Sequence, residues 1–253
     1  MCLAVLALDA HPRYRVVVAA NRDEYHARPT AAASWWPEGV LAGRDLAAGG
    51  TWLGVTRAGR YALLTNVRDP SRHDPSAPSR GSLVPQLLAS DAPTLAALDA
   101  ARSGGARHNG FNLLAGDTGS AGWTSNRGAD VRTLSAGVYG LSNAALDSDW
   151  PKVRRTKAAV ARWIAAGDDS PEPLLDALAD RAVASDEVLP RTGVPLEWER
   201  LLSAPFIVDA RYGTRSSTVL TIDRAGEVRF VERSFDARGE ASGEVRERFA
   251  ISR

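Results

Sequence analysis

Residues 1–24 read MCLAVLALDAHPRYRVVVAANRDE, and the pattern of this stretch predicts the type of fold. Two apolar runs rich in β-forming residues, residues 3–9 and 15–20, flank a short polar segment at residues 11–14. Apolar runs on either side of a short turn are typical of an antiparallel β-hairpin. We therefore expect the chain to begin with a hairpin whose first strand has Cys2 at its free end.

The register of this hairpin decides which side chain lies opposite Cys2. If a four-residue turn pairs Ala10 with Arg15, the numbers of paired residues sum to 25 and Cys2 lies opposite Asp23. A slip of one residue would place Arg22 there instead. In either register the polar run at residues 21–24, Asn-Arg-Asp-Glu, lies beside the chain terminus. The same run would also suit a solvated strand end, because Arg28-Pro29 marks a loop soon afterwards.

Cys2 is the only cysteine of the chain and directly follows Met1. Removal of Met1 would leave a thiol and a free α-amine on one residue. An α-amine with a pKa of about 7.7–8.0 is suited to take the proton of that thiol near neutral pH. This layout is typical of an N-terminal nucleophile, and the alternative is an ordinary small residue at the second position.

Composition predicts one globular domain over residues 1–253, because 44% of the residues are hydrophobic and no linker-like stretch divides the chain. We expect only the charged tail, residues 237–253, to be loosely held. The formal net charge of +1 provides no field that would steer a nucleic acid or an anionic membrane surface. The apolar start lacks the flanks of a signal peptide. We therefore predict a cytoplasmic protein with no nucleic-acid partner and no membrane insertion.

A second hairpin is predicted for residues 51–56 and 61–66, and it ends in Asn66. The Gly49-Gly50 pair before it suits either a tight loop over a ligand pocket or a mere turn. This glycine-rich segment lacks the features of a phosphate loop or a dinucleotide site. Four scattered histidines show no metal-ligand spacing, so we expect no metal site: His11, His26, His73 and His108.

The order of elements along the chain indicates the fold class. Helical patterns cover residues 82–90, 94–101, 151–167 and 173–183, and further strands are predicted at residues 205–209, 216–223 and 227–233. Strands first, helices in the middle and strands last predict an α+β fold of antiparallel sheets packed on helices, rather than a βαβ arrangement.

These motifs together resemble the NRDE family, also called the transport and Golgi organisation family. The resemblance spans nearly the whole chain. It implies a four-layer αββα fold of the N-terminal-nucleophile hydrolase type, and eukaryotic members of the family have been linked to haem trafficking and to lipid and acyl-CoA metabolism. The segments that carry it are MC at 1–2, AANRDE at 19–24, LAGRD at 41–45, GGTWLG at 49–54, LTN at 64–66, SRG at 79–81, GFNLLAGD at 110–117, YGLSN at 139–143, DWPKV at 149–153 and YGTRSS at 212–217.

The layout is also similar to that of the choloylglycine hydrolase and penicillin V acylase group. This similarity implies a nucleophilic cysteine tuned by an arginine and an aspartate, two asparagines that hold an oxyanion, and a late arginine that binds substrate or orients the nucleophile. The matching positions are Cys2, Arg22, Asp23, Asn66, Asn143 and Arg215. Within the family motifs we assign substrate contacts to Asn21, Glu24, Arg44 and Trp52.

One departure from the acylase pattern concerns Arg22 and Asp23, which are adjacent here and three residues apart in that group. Adjacent side chains on a strand face opposite sides of the sheet, so both cannot point at Cys2 without a bulge. The alternative pairs on one face are Asn21 with Asp23, or Arg22 with Glu24.

Three functions are compatible with these patterns, and the third, a structural or interaction protein, is the one that polar clusters at strand ends support least. One is a cysteine-dependent amidohydrolase, acting on non-peptide C–N bonds, or an acyltransferase; its partner is a small acyl or amide substrate and hydrolysis needs no cofactor. The alternative is a non-catalytic carrier of haem or an acyl lipid on the same fold. The four histidines supply no pattern that identifies an axial haem ligand.

Overall fold

The computed structural model describes residues 2–252, which form two antiparallel sheets and five α-helices. The six-stranded sheet, here called sheet A, has the order β10-β1-β2-β11-β12-β13. Both ends of the chain therefore contribute to one sheet. Its strands are β1 (Cys2–Leu8), β2 (Tyr14–Tyr25), β10 (Gly137–Leu141), β11 (Tyr212–Asp223), β12 (Glu227–Phe235) and β13 (Ala241–Ala250).

The seven-stranded sheet, here called sheet B, follows the chain order without a crossover, from β3 to β9. It contains the second predicted hairpin as β5 and β6. Its strands are β3 (Thr30–Trp35), β4 (Val40–Asp45), β5 (Leu53–Thr56), β6 (Tyr61–Asn66), β7 (Phe111–Gly116), β8 (Ala121–Ser125) and β9 (Ala129–Thr133).

Helices cover the outer face of each sheet. Helices α1 (Leu83–Leu88) and α2 (Thr94–Ser103) pack on sheet B, while α3 (Pro151–Ala165) and α4 (Glu172–Leu178) pack on sheet A. The short α5 (Leu196–Leu201) precedes β11. The predicted α+β class and the αββα layers are thus confirmed. Within residues 2–252, no helix is both long and apolar enough to span a membrane.

Alternation along β1 and β2 assigns one set of side chains to each face of sheet A. Leu6 and Val18 belong to the core between the two sheets, whereas Val5 and Val17 belong to the core beneath α3 and α4. Because strand side chains alternate with a period of two, even-numbered residues of β1 and β2 point between the sheets. Cys2 lies on that even-numbered face.

The register predicted for the first hairpin is wrong by one residue. The alternative register, in which Cys2 lies opposite Arg22, is correct. Cys2 pairs with Arg22, so paired residues sum to 24. The Asp9 N–H donates to the Arg15 carbonyl at 2.8 Å, which leaves five residues in the loop instead of four. The His11 side chain stabilises this longer loop, because its Nδ1 lies 3.1 Å from the Arg13 nitrogen and 3.2 Å from the Tyr14 nitrogen.

The charged tail differs from the loose segment that we expected. Its residues 241–250 form β13, which pairs with β12 along its length at the edge of sheet A. Side-chain ion pairs join Arg233 to Glu244 at 2.7 Å and Arg246 to Glu172 at 2.5 Å. Backbone pairing and alternating charges therefore order this segment despite its composition. That the whole chain is one domain stays a prediction.

Candidate active site

A cavity of about 70 Å³ opens beside Cys2 at one end of the two sheets. It is built from the start of β1, the end of β2, the end of β4 with the segment that leads to β5, the end of β6, and the turn before α1. The structure thus brings together several residues that are far apart in the sequence. The lining residues are Cys2, Arg22, Asp23, Glu24, Asp45, Thr51, Trp52, Leu64, Asn66 and Gly81.

Cys2 is held at the start of β1 by its backbone. Its carbonyl accepts a hydrogen bond from the Ser142 hydroxyl at 3.0 Å. Burial raises the pKa of the Cys2 thiol, and the charge of Asp23 raises it further; the Arg22 guanidinium and the backbone N–H of Asp23 act in the opposite direction. A thiol with a raised pKa is protonated at neutral pH, so attack on a carbonyl requires a nearby base.

Arg22 lies directly opposite Cys2 on the face between the sheets, and it is almost completely buried. Its guanidinium stacks on Trp52 at 4.3 Å from the ring centroid and donates to the Thr30 hydroxyl at 2.9 Å. Gly43 makes room for this stack, because a Cβ at that position would lie 2.4 Å from the Trp52 ring. Arg22 is therefore a fixed positive charge beside the thiol.

The side chains of Asn21 and Asp23 lie on the opposite, helix-facing side of β2, although Asp23 is one of the residues that line the cavity. The Asn21 amide donates to the backbone carbonyls of Leu178 at 2.8 Å and Pro205 at 2.9 Å, so it holds the segment after α4 and does not line the cavity. The Asp23 carboxylate accepts from the Thr214 hydroxyl at 2.8 Å. The ordinary alternation of side chains along a strand therefore places Arg22 and Glu24 on one face of β2 and Asn21 and Asp23 on the other. This matches the alternative pairs predicted from strand geometry.

The two asparagines have different positions. Asn66 lines the cavity, but Asn143 does not. Asn143 instead donates its side-chain N–H to the Asn66 carbonyl at 2.8 Å and accepts from the Ser142 hydroxyl at 3.2 Å. Asn66 is thus a cavity residue, and Asn143 holds the backbone of Asn66.

Arg215 and Arg44 lie outside this cavity. Arg215 sits at the bulge where the pairing of β11 with β2 shifts, and its guanidinium donates to the carbonyls of Tyr25 and Arg28, each at 3.1 Å. The Arg44 guanidinium stacks on Trp36 at 4.5 Å from the ring centroid. Arg215 therefore binds the end of β2 and the loop that follows it. Arg44 lines a different cavity.

Four cavity residues were not assigned to the site from the sequence, namely Asp45, Thr51, Leu64 and Gly81. Asp45 accepts from the Arg28 guanidinium at 2.7 Å, and the Thr51 N–H donates to the Gly81 carbonyl at 3.0 Å. A Cβ on Gly50 would lie 2.3 Å from Gly81, so the two loops require glycine where they touch. Of the two interpretations of Gly49-Gly50, the structure matches the tight loop at a cavity wall. The glycine pair was the feature of the sequence that could have identified this wall.

Lys152 was also missed. It lies in the first turn of α3, is almost completely buried, and its charge acts on Asp23. The sequence contains it only as part of the segment DWPKV, in which nothing distinguishes a buried lysine from a solvated one.

The four histidines all lie away from the lining of the Cys2 cavity. The Nε2 atoms of His11 and His26 lie 2.9 and 3.0 Å from the backbone oxygens of Asp168 and Asp209. Residues 2–252 contain no group of three or more His, Cys, Asp or Glu side chains that could hold a metal ion. Haem binding stays a prediction, which a titration with haemin would test.

Comparison with solved structures defines the class of fold. The chain is similar over its full length to the mutant C2A conjugated bile acid hydrolase from Clostridium perfringens, with a TM-score of 0.51, 10% identity and coverage of 97% of that chain. At this level of identity the similarity concerns the fold alone. The protein thus has the N-terminal-nucleophile hydrolase-like fold that the resemblance implied.

Sequence comparison defines the family. A family profile described as Transport and Golgi organisation 2 matches residues 1–237. The Bos taurus and Homo sapiens homologues of Transport and Golgi organization protein 2 are 37% and 35% identical, and each alignment covers 92% of this chain and 93% of the relative. The Drosophila melanogaster protein is 27% identical over 92% of this chain and 91% of its own length. The chain belongs to the transport and Golgi organisation 2 family, as the sequence motifs predicted.

Proposed function

We propose that this protein is a hydrolase or acyltransferase that uses Cys2 as the nucleophile toward an amide or thioester carbonyl. The observation that carries the proposal is the placement of Cys2 in a cavity directly opposite the buried Arg22, on a fold of the N-terminal-nucleophile type. No other thiol is available in the chain. The proposal requires that Met1 be removed, because only then does Cys2 carry a free α-amine.

In this mechanism the α-amine of Cys2 accepts the thiol proton while the sulfur attacks the carbonyl carbon. The carbonyl π electrons move to oxygen, and the Asn66 side-chain N–H stabilises the resulting oxyanion. Collapse of this intermediate breaks the C–N or C–S bond, and the α-ammonium returns its proton to the leaving amine or thiol. Water or an acceptor nucleophile then attacks the Cys2 thioester by the same sequence of steps and regenerates the thiol.

The dimensions of the cavity limit what it receives. Its volume of about 70 Å³ is well below the roughly 300–1,000 Å³ that is usual for a small-molecule site. The conformation described here therefore has room for the reacting carbonyl group and its nearest atoms only. We propose that the remainder of the substrate lies outside the cavity, across the glycine-containing loops at residues 49–52 and 79–82.

The test compares wild type with Cys2→Ala and Cys2→Ser, using a panel of amides and thioesters. We expect Cys2→Ala to abolish turnover and covalent labelling while its melting temperature stays close to that of wild type, because Cys2 lies at a strand end. Cys2→Ser is expected to fold equally well and to retain at most a small fraction of the activity. Undiminished turnover by Cys2→Ala would exclude the proposed role. The cytoplasmic location stays a prediction.

A further inference from the structure

The segment that follows β10, residues 142–144, is bonded to sheet B and to the residue stretch that leaves it. Its three consecutive backbone carbonyls each accept a hydrogen bond from that side. The donors to residues 142, 143 and 144 are, in order, the Thr65 hydroxyl at 2.5 Å, the Arg68 backbone N–H at 2.8 Å and the Asn112 side-chain amide at 2.9 Å. The Asn112 amide also lies 3.1 Å from the Thr65 hydroxyl, and both side chains are completely buried. The segment is therefore fixed to sheet B.

Ser142 connects the same segment to sheet A at Cys2. Backbone pairing between β10 and β1 runs from Gly137 with Leu8 to Leu141 with Ala4, so Ser142 lies just beyond the paired residues. There its hydroxyl donates to the Cys2 carbonyl at 3.0 Å. A side-chain hydrogen bond thus extends the contact between the two strands as far as the nucleophile.

A short path of buried hydrogen bonds leads from Cys2 to Asn66. The Ser142 hydroxyl lies 3.2 Å from the Asn143 side-chain oxygen, and the Asn143 side-chain N–H donates to the Asn66 carbonyl at 2.8 Å. Ser142 and Asn143 are almost completely buried, so loss of a partner in this path leaves a buried polar group unpaired. Because Cys2 begins β1 of sheet A and Asn66 ends β6 of sheet B, the path joins the two sheets at the cavity that both residues line.

We propose that Ser142 is a positioning residue that fixes the Cys2 nucleophile relative to the oxyanion donor Asn66, an inference that rests on the proposed function. Attack requires the sulfur and the donor to meet one carbonyl group in a fixed geometry, and a misplacement of about 1 Å costs about 100-fold in rate. Removal of Met1 makes Cys2 the end of a strand, where chains fray most readily. Backbone pairing with Arg22 restrains Cys2 on the β2 side, and the Ser142 hydroxyl restrains it on the β10 side.

The proposal predicts a loss of rate without a loss of substrate binding. Ser142→Ala removes the hydroxyl, and we expect the maximal rate of Cys2 acylation to fall about tenfold. Ser142 lies outside the lining of the cavity, so the thioester concentration that gives half of this rate should change by less than about twofold. Ser142→Thr keeps a hydroxyl and should retain more of the rate than Ser142→Ala.

The experiment measures the rate of Cys2 acylation against the concentration of a small thioester, read by intact mass. Ser203→Ala is the matched control, because Ser203 is also buried and its hydroxyl donates to the Arg200 carbonyl at 2.6 Å, outside the Cys2 cavity. This control should be destabilised in a similar way but acylated at the wild-type rate. An unchanged maximal rate in Ser142→Ala, or an equal loss in Ser203→Ala, would overturn the inference while wild-type acylation upholds the proposed function.

A double-variant comparison tests whether Ser142 acts by aligning Cys2 with Asn66. In the Asn66→Ala background the donor side chain is absent, so the added Ser142→Ala change should lower the acylation rate by less than about threefold. The full loss in both backgrounds would show that the two residues act independently and would overturn the inference.

Two variants of Thr65 serve if Ser142→Ala does not fold. Thr65→Val removes the hydroxyl that donates to the Ser142 carbonyl, whereas Thr65→Ser keeps it. We expect a lower maximal acylation rate for the valine variant than for the serine variant, and equal rates would overturn the inference. A wild-type protein that forms no adduct with cyanobenzothiazole, and thus has no free α-amine on Cys2, would overturn the proposed function and this inference together.

Discussion

At the scale of single residues, the wall of the cavity depends on the absence of a side chain at Gly43. A Cβ there would lie 2.4 Å from the Trp52 ring, which carries the Arg22 guanidinium. We expect Gly43→Ala to displace Trp52, to destabilise the protein by about 1–3 kcal/mol, and to slow alkylation of Cys2 severalfold. Urea unfolding and the rate of labelling with iodoacetamide would measure both effects.

Gly104→Ala is the matched control for this change. Gly104 follows α2 with an ordinary φ of −77°, and a Cβ there would meet nothing within 4 Å. We expect its free energy of unfolding to stay within about 0.5 kcal/mol of wild type. If Gly43→Ala behaved in the same way as Gly104→Ala, the tight contact with Trp52 would not be a feature of the protein in solution.

The residues of the site were predictable to different degrees. The alternation of side chains on a strand placed Arg22 and Glu24 on one face and Asn21 and Asp23 on the other, which the structure matches. Lys152 was not predictable, because its burial depends on how α3 packs against sheet A, a contact between distant segments. The contacts of Arg215 depend on a bulge in β11, which no residue type in that segment signals.

At the scale of elements, a buried carboxyl connects β12 of sheet A to β3 of sheet B. The Ala33 N–H donates to Glu232 at 2.7 Å, and the Thr218 hydroxyl donates at 3.3 Å. Burial raises the pKa of Glu232 from 4.5 to about 7. The folded protein therefore holds this proton at pH values where the unfolded chain has released it.

This raised pKa predicts how stability depends on pH. The contribution of Glu232 to the free energy of unfolding should fall as the pH rises from about 4.5 to about 7, by an amount on the order of 3 kcal/mol. Glu232→Gln keeps an uncharged acceptor, so its melting temperature relative to wild type should increase across this range. The exposed Glu38→Gln is the control and should follow wild type throughout. A constant difference between Glu232→Gln and wild type would contradict the assignment.

The elements also show where sequence patterns reach their limit. The first hairpin was predictable from its apolar runs, but its register was not, because the His11 side chain stabilises a five-residue loop that residue types alone do not indicate. The charged tail forms a strand since backbone pairing with β12 outweighs its composition. Local pattern therefore predicted the first two hairpins and the strands near residues 216–223 and 227–233, but it also predicted a strand at residues 205–209, where the structure has none. Long-range contacts decided the remaining strands and the register.

At the scale of the whole molecule, the fold brings Cys2 to a cavity between two sheets, and the proposed function depends on whether Cys2 carries a free α-amine. Sheet A places the start of β1 beside the end of β2, and sheet B supplies Trp52 and Asn66 from the facing layer. The four-layer arrangement was predictable from the resemblance to a known family together with the order of strands and helices. The same arrangement serves either a catalyst or a carrier, so the α-amine of Cys2 is the feature that distinguishes them.

The most direct test of the central claim is the intact mass of the protein purified without an N-terminal tag, before and after treatment with cyanobenzothiazole. This reagent condenses only with a thiol and an α-amine carried by one residue, and the single cysteine makes the result unambiguous. Our account predicts a mass that lacks one methionine and a single adduct that is absent from Cys2→Ala. A mass that retains Met1, with no adduct, would contradict the use of Cys2 as an N-terminal nucleophile.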